Sequence, residues 1–499
     1  MMQRTGFVIL AAWLALLVSA CQTPLQSDVD AALANPEQTG IRWGLVVADM
    51  DGTELLALRA DDRFTPASNT KIVTTMASYH HLDRLSEPQY NPGTLVIFEH
   101  IDAAGPPDLV LRGGGDAMLS DATDCETSCL ADLADRVAGT GLTEIGQVIG
   151  DDTLFPFERW GPGWSVEDLQ FYYGTAVSAL SVNDNLVWID VVPGNAPGDP
   201  VEISWQAGDA YYTIANEVLT SPAETDRALR VERYPGANTV RVYGTVPAGS
   251  QTLSFGLAID NPAEFTALRF SRLLEARGLI VGGVGTRHRP LSLGDEVPDE
   301  EEGGDAASLS RISMTDTFPK FMRLPASPLT ESLNRISKES ENLHAEIALR
   351  RLGLIEGTGS RDYGVSALAA FLTEAGVTDQ GITLHGGSGM SIYNRISPRA
   401  MVRLLAFAAE QPWFAAWLAD QPIGGVDGSL ARRFTGTALE GKIFAKTGTL
   451  NGANALAGVM TASSGRQLLF SIIANDRPPA TRSAITEMDA ALVAIAERY

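Results

Sequence analysis

Apolar and polar positions along the 499-residue chain change rhythm several times, and each change predicts a different kind of element. Residues 41–60, IRWGLVVADMDGTELLALRA, carry apolar runs on both sides of Asp51-Gly52, the pattern of a β-hairpin closed by a tight turn. A helix is expected next, with Thr65 as N-cap and Pro66 as its first residue. From about 96 to 310 the texture turns to short strands separated by glycine turns, among them Arg112-Gly113-Gly114-Gly115-Asp116. That run lacks the Gly-Lys-Ser/Thr ending of a phosphate loop and reads as a turn. An acidic stretch, GDEVPDEEEGGDAAS (294–308), closes the region as a solvated loop or linker. Helical periodicity returns after 310 and lasts to about 420. Strands follow in GKIFAKTGT, ANALAGVMT and RQLLFSIIAN, with Ser464-Gly465 turning between the last two, and an amphipathic helix, ATRSAITEMDAALVAIAERY, ends the chain.

Hairpin and helix at the front, with strands and a helix at the back, predict one mixed α/β (α+β) domain split by a large, mostly β insertion. The expected division is 30–95 and 311–499 for the two parts of the split domain, with 96–310 forming one or more inserted domains. The length agrees with two or three domains. No internal repeat is visible.

The first twenty residues follow a different logic. Arg4 gives a positive start, and Phe7 to Leu17 form an apolar run too short to span a bilayer, the length of a signal peptide core. The run ends in Val18-Ser19-Ala20-Cys21, which resembles the bacterial lipobox, so residues 1–20 are expected to be a lipoprotein signal peptide and Cys21 the lipidated residue. An ordinary secretory signal beside a chance cysteine is the alternative. Gln22, rather than Asp, follows, which points to outer-membrane anchoring on the periplasmic side of a Gram-negative cell. The formal net charge of −24 leaves no basic stripe for a phosphate backbone, so no nucleic-acid partner is expected. Cys125 and Cys129 are the remaining cysteines and could close a small disulfide loop in an oxidising compartment.

Candidate chemistry begins at TPASNTKIVTT, where Ser68 and Lys71 lie three apart on one predicted helical face. Alone the pair is a weak signal, better suited to an exposed helix face. A serine attacks only when a base takes its proton, and a lysine serves if its surroundings depress its pKa. Two further segments add the remaining parts. Lys446-Thr447-Gly448-Thr449 puts a cation and hydroxyls on a predicted strand, with Gly448 leaving room for a ligand, and Ser340-Glu341-Asn342 offers a hydroxyl and an amide. Together the three motifs form the signature of penicillin-recognising serine enzymes. Ser181-Val182-Asn183 also fits Ser-x-Asn, but it lies about 265 positions before Lys446, against about a hundred for Ser340.

With these motifs the chain resembles the low-molecular-mass class C penicillin-binding proteins, the D-alanyl-D-alanine carboxypeptidases and endopeptidases of the penicillin-binding protein 4 type. The likeness covers nearly all of the mature chain, including LVLRGGGDAMLS, GWSVEDLQFYYGTAVSALSVNDN, SENLHAEIALRRLG, GGVDGSLARRF and FAKTGTLNGANALAG. It implies a penicillin-recognising, β-lactamase-like fold and an acyl-enzyme mechanism on peptidoglycan stem peptides, with β-lactams as covalent inhibitors. Ser68 would be the nucleophile, Lys71 its base, and Ser340 a proton relay toward the leaving amine. Asn342 would hold the peptide, Lys446 would sustain a positive field, and Thr447, Gly448 and Thr449 would line the carboxylate site. The backbone N–H groups of Ser68 and Thr449 would form the oxyanion hole, while Asp168 and Tyr173 would meet a substrate amine. The family commonly reads Asp-Gly-Ser-Gly-Leu-Ser-basic where this chain has Gly386-Gly387-Ser388-Gly389-Met390-Ser391-Ile392, so recognition of the stem-peptide side chain is expected to differ.

No cofactor and no metal is expected. His80, His81, His100, His288, His344 and His385 form no His-Glu-x-x-His motif and read as surface or packing residues. Ser388, in HGGSGM, has Met390 where an esterase elbow needs glycine. Two rivals remain: a β-lactamase or serine esterase of the same fold, and a catalytically inactive peptidoglycan-binding lipoprotein.

Overall fold

The computed structural model describes residues 24–34, 39–99, 105–206, 211–295, 321–378, 381–478 and 483–499. Cys21 and the expected leader lie outside the described residues, as do positions 296–308 of the acidic stretch. The two ends of the chain build one antiparallel sheet. Its order is β16 (Ile443–Leu450), β17 (Ala453–Thr461), β18 (Gln467–Asn475), β1 (Arg42–Asp49) and β2 (Glu54–Leu58). The β1–β2 turn forms at the expected place: Gly52 takes a positive φ and donates its N–H to the Asp49 carbonyl.

Both faces of this sheet are covered, which explains why β1 and β17 read as continuous apolar runs instead of alternating ones. On one side Val46, Ala48, Ala457 and Leu469 pack with Ile72, Val73 and Met76 of α2 (Thr70–His80) and Leu349 of α6 (Asn342–Gly353). That cluster also takes in residues of α5 (Leu329–Lys338), α7 (Arg361–Glu374) and α8 (Pro398–Ala409). On the other side Leu45, Val47, Leu456 and Ile472 pack with Val29 of α1 (Pro24–Leu33) and Met488, Leu492 and Ile495 of α9 (Ile485–Arg498).

Between Leu85 and α5, among the described residues, lie three further sheets and two α-helices. A five-stranded mixed sheet has the order β12 (Ile280–Arg289), β5 (Glu144–Pro156), β4 (Asp108–Arg112), β3 (Thr94–Glu99) and β13 (Phe321–Leu324). It shares one core with α3 (Leu130–Ala138) and α4 (Pro262–Glu275). Two three-stranded sheets complete the region. One is β11 (Leu253–Ala258), β6 (Leu186–Val192) and β7 (Glu202–Trp205); the other is β8 (Thr213–Ser221), β10 (Thr239–Pro247) and β9 (Ala228–Glu232). β13 lies beyond the expected division at 310, yet it pairs antiparallel with β3, because its Met322 and Leu324 bury into the core of that mixed sheet. A short β14 (Ile382–Thr383) and β15 (Arg395–Ile396) form a two-stranded ribbon beside α8.

The glycine run after β4 is more than a turn. A Cβ at Gly113 would sit 2.2 Å from the Ala179 carbonyl oxygen, and one at Gly114 would sit 2.2 Å from that of Gly93. Three stretches of backbone cross there with no room for side chains. Cys125 and Cys129 are joined in a disulfide ahead of α3. Among the described residues no helix is long and apolar enough to cross a membrane.

Candidate active site

The helix bearing Ser68 starts later than the sequence pattern suggests. Ala67–Asn69 form a 3-10 turn and the α-helix proper begins at Thr70. Thr65 caps nothing; its backbone N–H donates to Asn475 Oδ1 and its hydroxyl accepts from Arg395. Tertiary contacts hold this entry in place of a local cap, and Ala67, just before Ser68, takes a φ of +49°. Such strain at a non-glycine residue persists only where packing over-determines it. The packing here is close. A Cβ on Gly448 would lie 2.5 Å from the Pro66 carbonyl oxygen and 3.2 Å from the Ser68 nitrogen, and one on Gly389 would lie 2.0 Å from the Ala67 carbonyl oxygen. β16 and the Gly386–Gly389 loop therefore press on the serine turn from two directions.

Lys71 sits one turn along, fully buried, with its Nζ 2.9 Å from Ser68 Oγ. The same nitrogen donates to Asn342 Oδ1 and to the Ser388 backbone carbonyl, each at 2.5 Å. Asn342 opens α6, and its other amide atom, Nδ2, donates to the Tyr173 carbonyl at 2.7 Å. Ser340 occupies the connection between α5 and α6 with a φ of +69°. From that position its hydroxyl accepts a hydrogen bond from Lys446 Nζ at 2.9 Å. Thr447 Oγ1 donates to Ser429 Oγ at 2.8 Å, and Thr449, exposed further along β16, accepts from Asn454 Nδ2.

The electrostatics follow from burial. Neither Lys71 nor Lys446 is hydrogen-bonded to a carboxylate among the described residues. Burial brings the Lys71 amine down to about 7, against the opposing pull of Glu346 and Glu341. Lys446 is driven well below the ordinary ammonium range by its own burial and by the positive charge of Lys71. Two amines in one dry site hold their protons weakly, the condition for proton transfer at neutral pH.

Asp168 and Tyr173 are joined to each other, Tyr173 OH donating to Asp168 Oδ1 at 3.3 Å. Burial raises the Asp168 carboxyl and pushes the Tyr173 phenol up to about 12. Tyr173 meets the motif residues through its carbonyl, which accepts from Asn342 Nδ2. Ile392, where the family has a basic residue, is half exposed and donates its N–H to the Gly163 carbonyl, so this departure falls beside the segment that carries Asp168.

Three features escape sequence reasoning. Glu346 and the Ser388 carbonyl join the Lys71 network, and Ser429 presents its hydroxyl to Thr447. The Ser388 hydroxyl donates to Glu346 and makes no esterase nucleophile. Ser181 and Asn183, the competing Ser-x-Asn, stay in the inserted region: Ser181 donates to the Ser178 carbonyl and Asn183 accepts from Ser120. Their neighbour Asp184 is what reaches the split domain, pairing with Arg335 and with the buried His344. His344 is thus a packing residue with two partners, Ser332 and Asp184.

A serine, two buried lysines and a hydroxyl–amide pair, gathered where helices meet one edge strand of a covered antiparallel sheet, define a penicillin-recognising serine enzyme. The sequence matches the D-Ala-D-Ala carboxypeptidase 3 (S13) family over residues 25–297 and 320–499, and the chain belongs to that family of serine-type carboxypeptidases. It is 31% identical over 491 residues to the D-alanyl-D-alanine carboxypeptidase of Actinomadura sp. (strain R39), covering 95% of this chain and 85% of that one. It is 23% identical to the D-alanyl-D-alanine carboxypeptidase of Haemophilus influenzae over 86% of this chain and 82% of the other. The fold is similar to the crystal structure of penicillin binding protein 4 from Haemophilus influenzae. That match has a TM-score of 0.76 and 20% identity and covers 94% of this chain and 98% of that one. A β-lactam complex of that protein matches with a TM-score of 0.69 and 19% identity, covering 93% and 98%.

Proposed function

We propose that this carboxypeptidase removes the terminal D-alanine of peptidoglycan stem peptides through an ester on Ser68, and opens D-alanine cross-links by the same chemistry. Ser68 Oγ attacks the penultimate carbonyl carbon while its proton passes to neutral Lys71. The backbone N–H groups of Ser68 and Thr449 receive the developing oxyanion. The carbon–nitrogen bond then breaks, and the leaving amine takes a proton relayed by Ser340. Water hydrolyses the ester, releasing the shortened peptide and restoring the serine. Thr447 and Thr449 bind the terminal carboxylate, whose charge favours protonated Lys446, and Gly448 lets this strand lie close against the serine turn. Asn342 orients the acyl side, and Asp168 with Tyr173 faces an amine of the stem peptide. No cofactor enters the reaction.

The single observation that carries this reading is the 2.9 Å contact between Ser68 Oγ and a Lys71 amine brought to about 7. The test is labelling by a fluorescent penicillin, wild type beside Ser68→Ala, followed by digestion of purified muropeptides. Labelling and D-alanine release are expected in the wild type and absent in the variant. Labelling that survives the substitution removes Ser68 from the nucleophile role.

The same reading places the enzyme outside the cytoplasm, in the periplasm, held to the outer membrane through a lipid on Cys21. The apolar leader ending at Val18-Ser19-Ala20-Cys21 and the Cys125–Cys129 bond support it. The division at 30–95, 96–310 and 311–499 belongs to the same reading, supported by the sheet that residues 42–58 and 443–475 build together.

A further inference from the structure

Glu346 stands one helical turn beyond Asn342 on α6, and its side chain is buried, with the residue 1% exposed. A carboxylate removed from water needs donors, and this one has a full set. Its Oε1 accepts from the backbone N–H of Gly387 at 3.0 Å, from that of Ser388 at 2.9 Å and from Ser388 Oγ at 2.7 Å. Its Oε2 pairs with Arg350 at 3.2 Å. Thr74, on the same helix as Lys71, closes the far side of the loop by donating to the Gly387 carbonyl at 2.8 Å. The outcome is a fixed loop whose next carbonyl, that of Ser388, points at Lys71 Nζ from 2.5 Å. Gly386 leaves the space that the carboxylate fills: a Cβ there would lie 2.9 Å from Glu346 Oε1.

We propose that Glu346 is a positioning residue for acylation: it fixes the Gly386–Ser388 loop so that the Ser388 carbonyl holds Lys71 against Ser68, and it supplies buried negative charge behind that amine. The inference rests on Lys71 acting as the base. The charged groups that bear on Lys71 are Glu346 from α6, Glu341 just before that helix and Lys446 from β16. Arg350 faces Glu346 from the next turn and offsets part of its charge. Burial dominates and lowers the Lys71 pKa; Glu346 acts in the opposite direction. Removing the Glu346 charge therefore leaves the amine neutral to a lower pH.

The experiment is the second-order rate of acylation by a penicillin across pH 5 to 9, for the full chain. Glu346→Gln keeps an oxygen for the loop N–H groups and loses the charge. Its acid limb is expected to move down by about one pH unit, with the alkaline plateau within about threefold of wild type. Glu346→Asp keeps the charge and withdraws the carboxylate by one methylene. Its limb is expected to stay in place while the plateau falls about tenfold or more. A merely structural residue changes the melting temperature and leaves the limb of Glu346→Gln where it was; that result overturns the proposal. Should Glu346→Gln fail to fold, Glu346→Asp decides alone, and an unchanged plateau defeats the idea. An unmoved limb in Glu346→Gln, with Ser68→Ala silent to penicillin, sinks this inference and leaves the serine assignment standing. Penicillin labelling that persists in Ser68→Ala removes both.

Discussion

Ser429 shows how a single hydroxyl acquires meaning from its surroundings. It is exposed on the loop after Asp427, next to the strand that carries Thr447, and it accepts that residue's hydroxyl proton. The loop is held by Lys338, which pairs with Asp427 at 2.6 Å and donates to the Gln421 carbonyl at 2.7 Å. On the proposed reading, a substrate carboxylate arriving at Thr447 would meet a second hydroxyl already in place. Hydrogen bonds to a charged group contribute about 1.5–3 kcal/mol. Ser429→Ala is therefore expected to raise KM about tenfold for a peptide ending in free D-alanyl-D-alanine, with kcat changed little. The matching carboxamide peptide should show no such difference between the two proteins. An equal loss on both substrates would place Ser429 in the loop's scaffold instead.

At the scale of elements, the site depends on how closely three backbones approach. The serine turn, β16 and the Gly386–Gly389 loop meet where Gly448 and Gly389 have no side chain to spare. Gly389 also has a φ of +93°, a conformation that side chains rarely adopt. Gly389→Ala adds a methyl 2.0 Å from the Ala67 carbonyl oxygen and strains the backbone as well. The expected cost is about 2–4 kcal/mol of stability, with a lower melting temperature and a slower acylation, because the turn that moves is the one that aims Ser68. An alanine variant that melts and acylates like wild type would mean that the approach relaxes freely.

For the whole molecule, the inserted region of residues 96–310 meets the elements that flank Ser340 through Tyr173 and Asp184. The Tyr173 carbonyl takes the Asn342 amide, and Asp184 binds Arg335 on α5 and His344 on α6. These helices flank Ser340, so Asp184 fixes both sides of the connection that presents it. Asp184→Ala is expected to lower penicillin acylation roughly 10- to 100-fold, since small displacements of catalytic groups carry penalties of that order. The melting temperature should fall as well, because Arg335 and buried His344 lose their shared partner. Unchanged acylation beside a lower melting temperature would confine Asp184 to stability.

Sequence by itself determined the family signature and the broad frame. Ser68 with Lys71, and Lys446 with its threonines, stand out as short motifs, Ser340 and Asn342 by their distance from Lys446, and the strands of both chain ends by apolar runs long enough to be buried on two faces. Those signals are patterns and spacings along the sequence, so the chain states them directly. Tertiary structure alone decided the rest. Thr65 looks like a helix cap, yet Asn475 and Arg395 claim it, and the helix starts at Thr70. Nothing in the stretch around 321–324 reveals that it pairs with β3 more than two hundred residues earlier. Glu346 reads as one more helical acid until the loop of Gly387 and Ser388 folds over it. Its role comes from burial and from partners far away in sequence, and neither burial nor distant contact is written in a spacing.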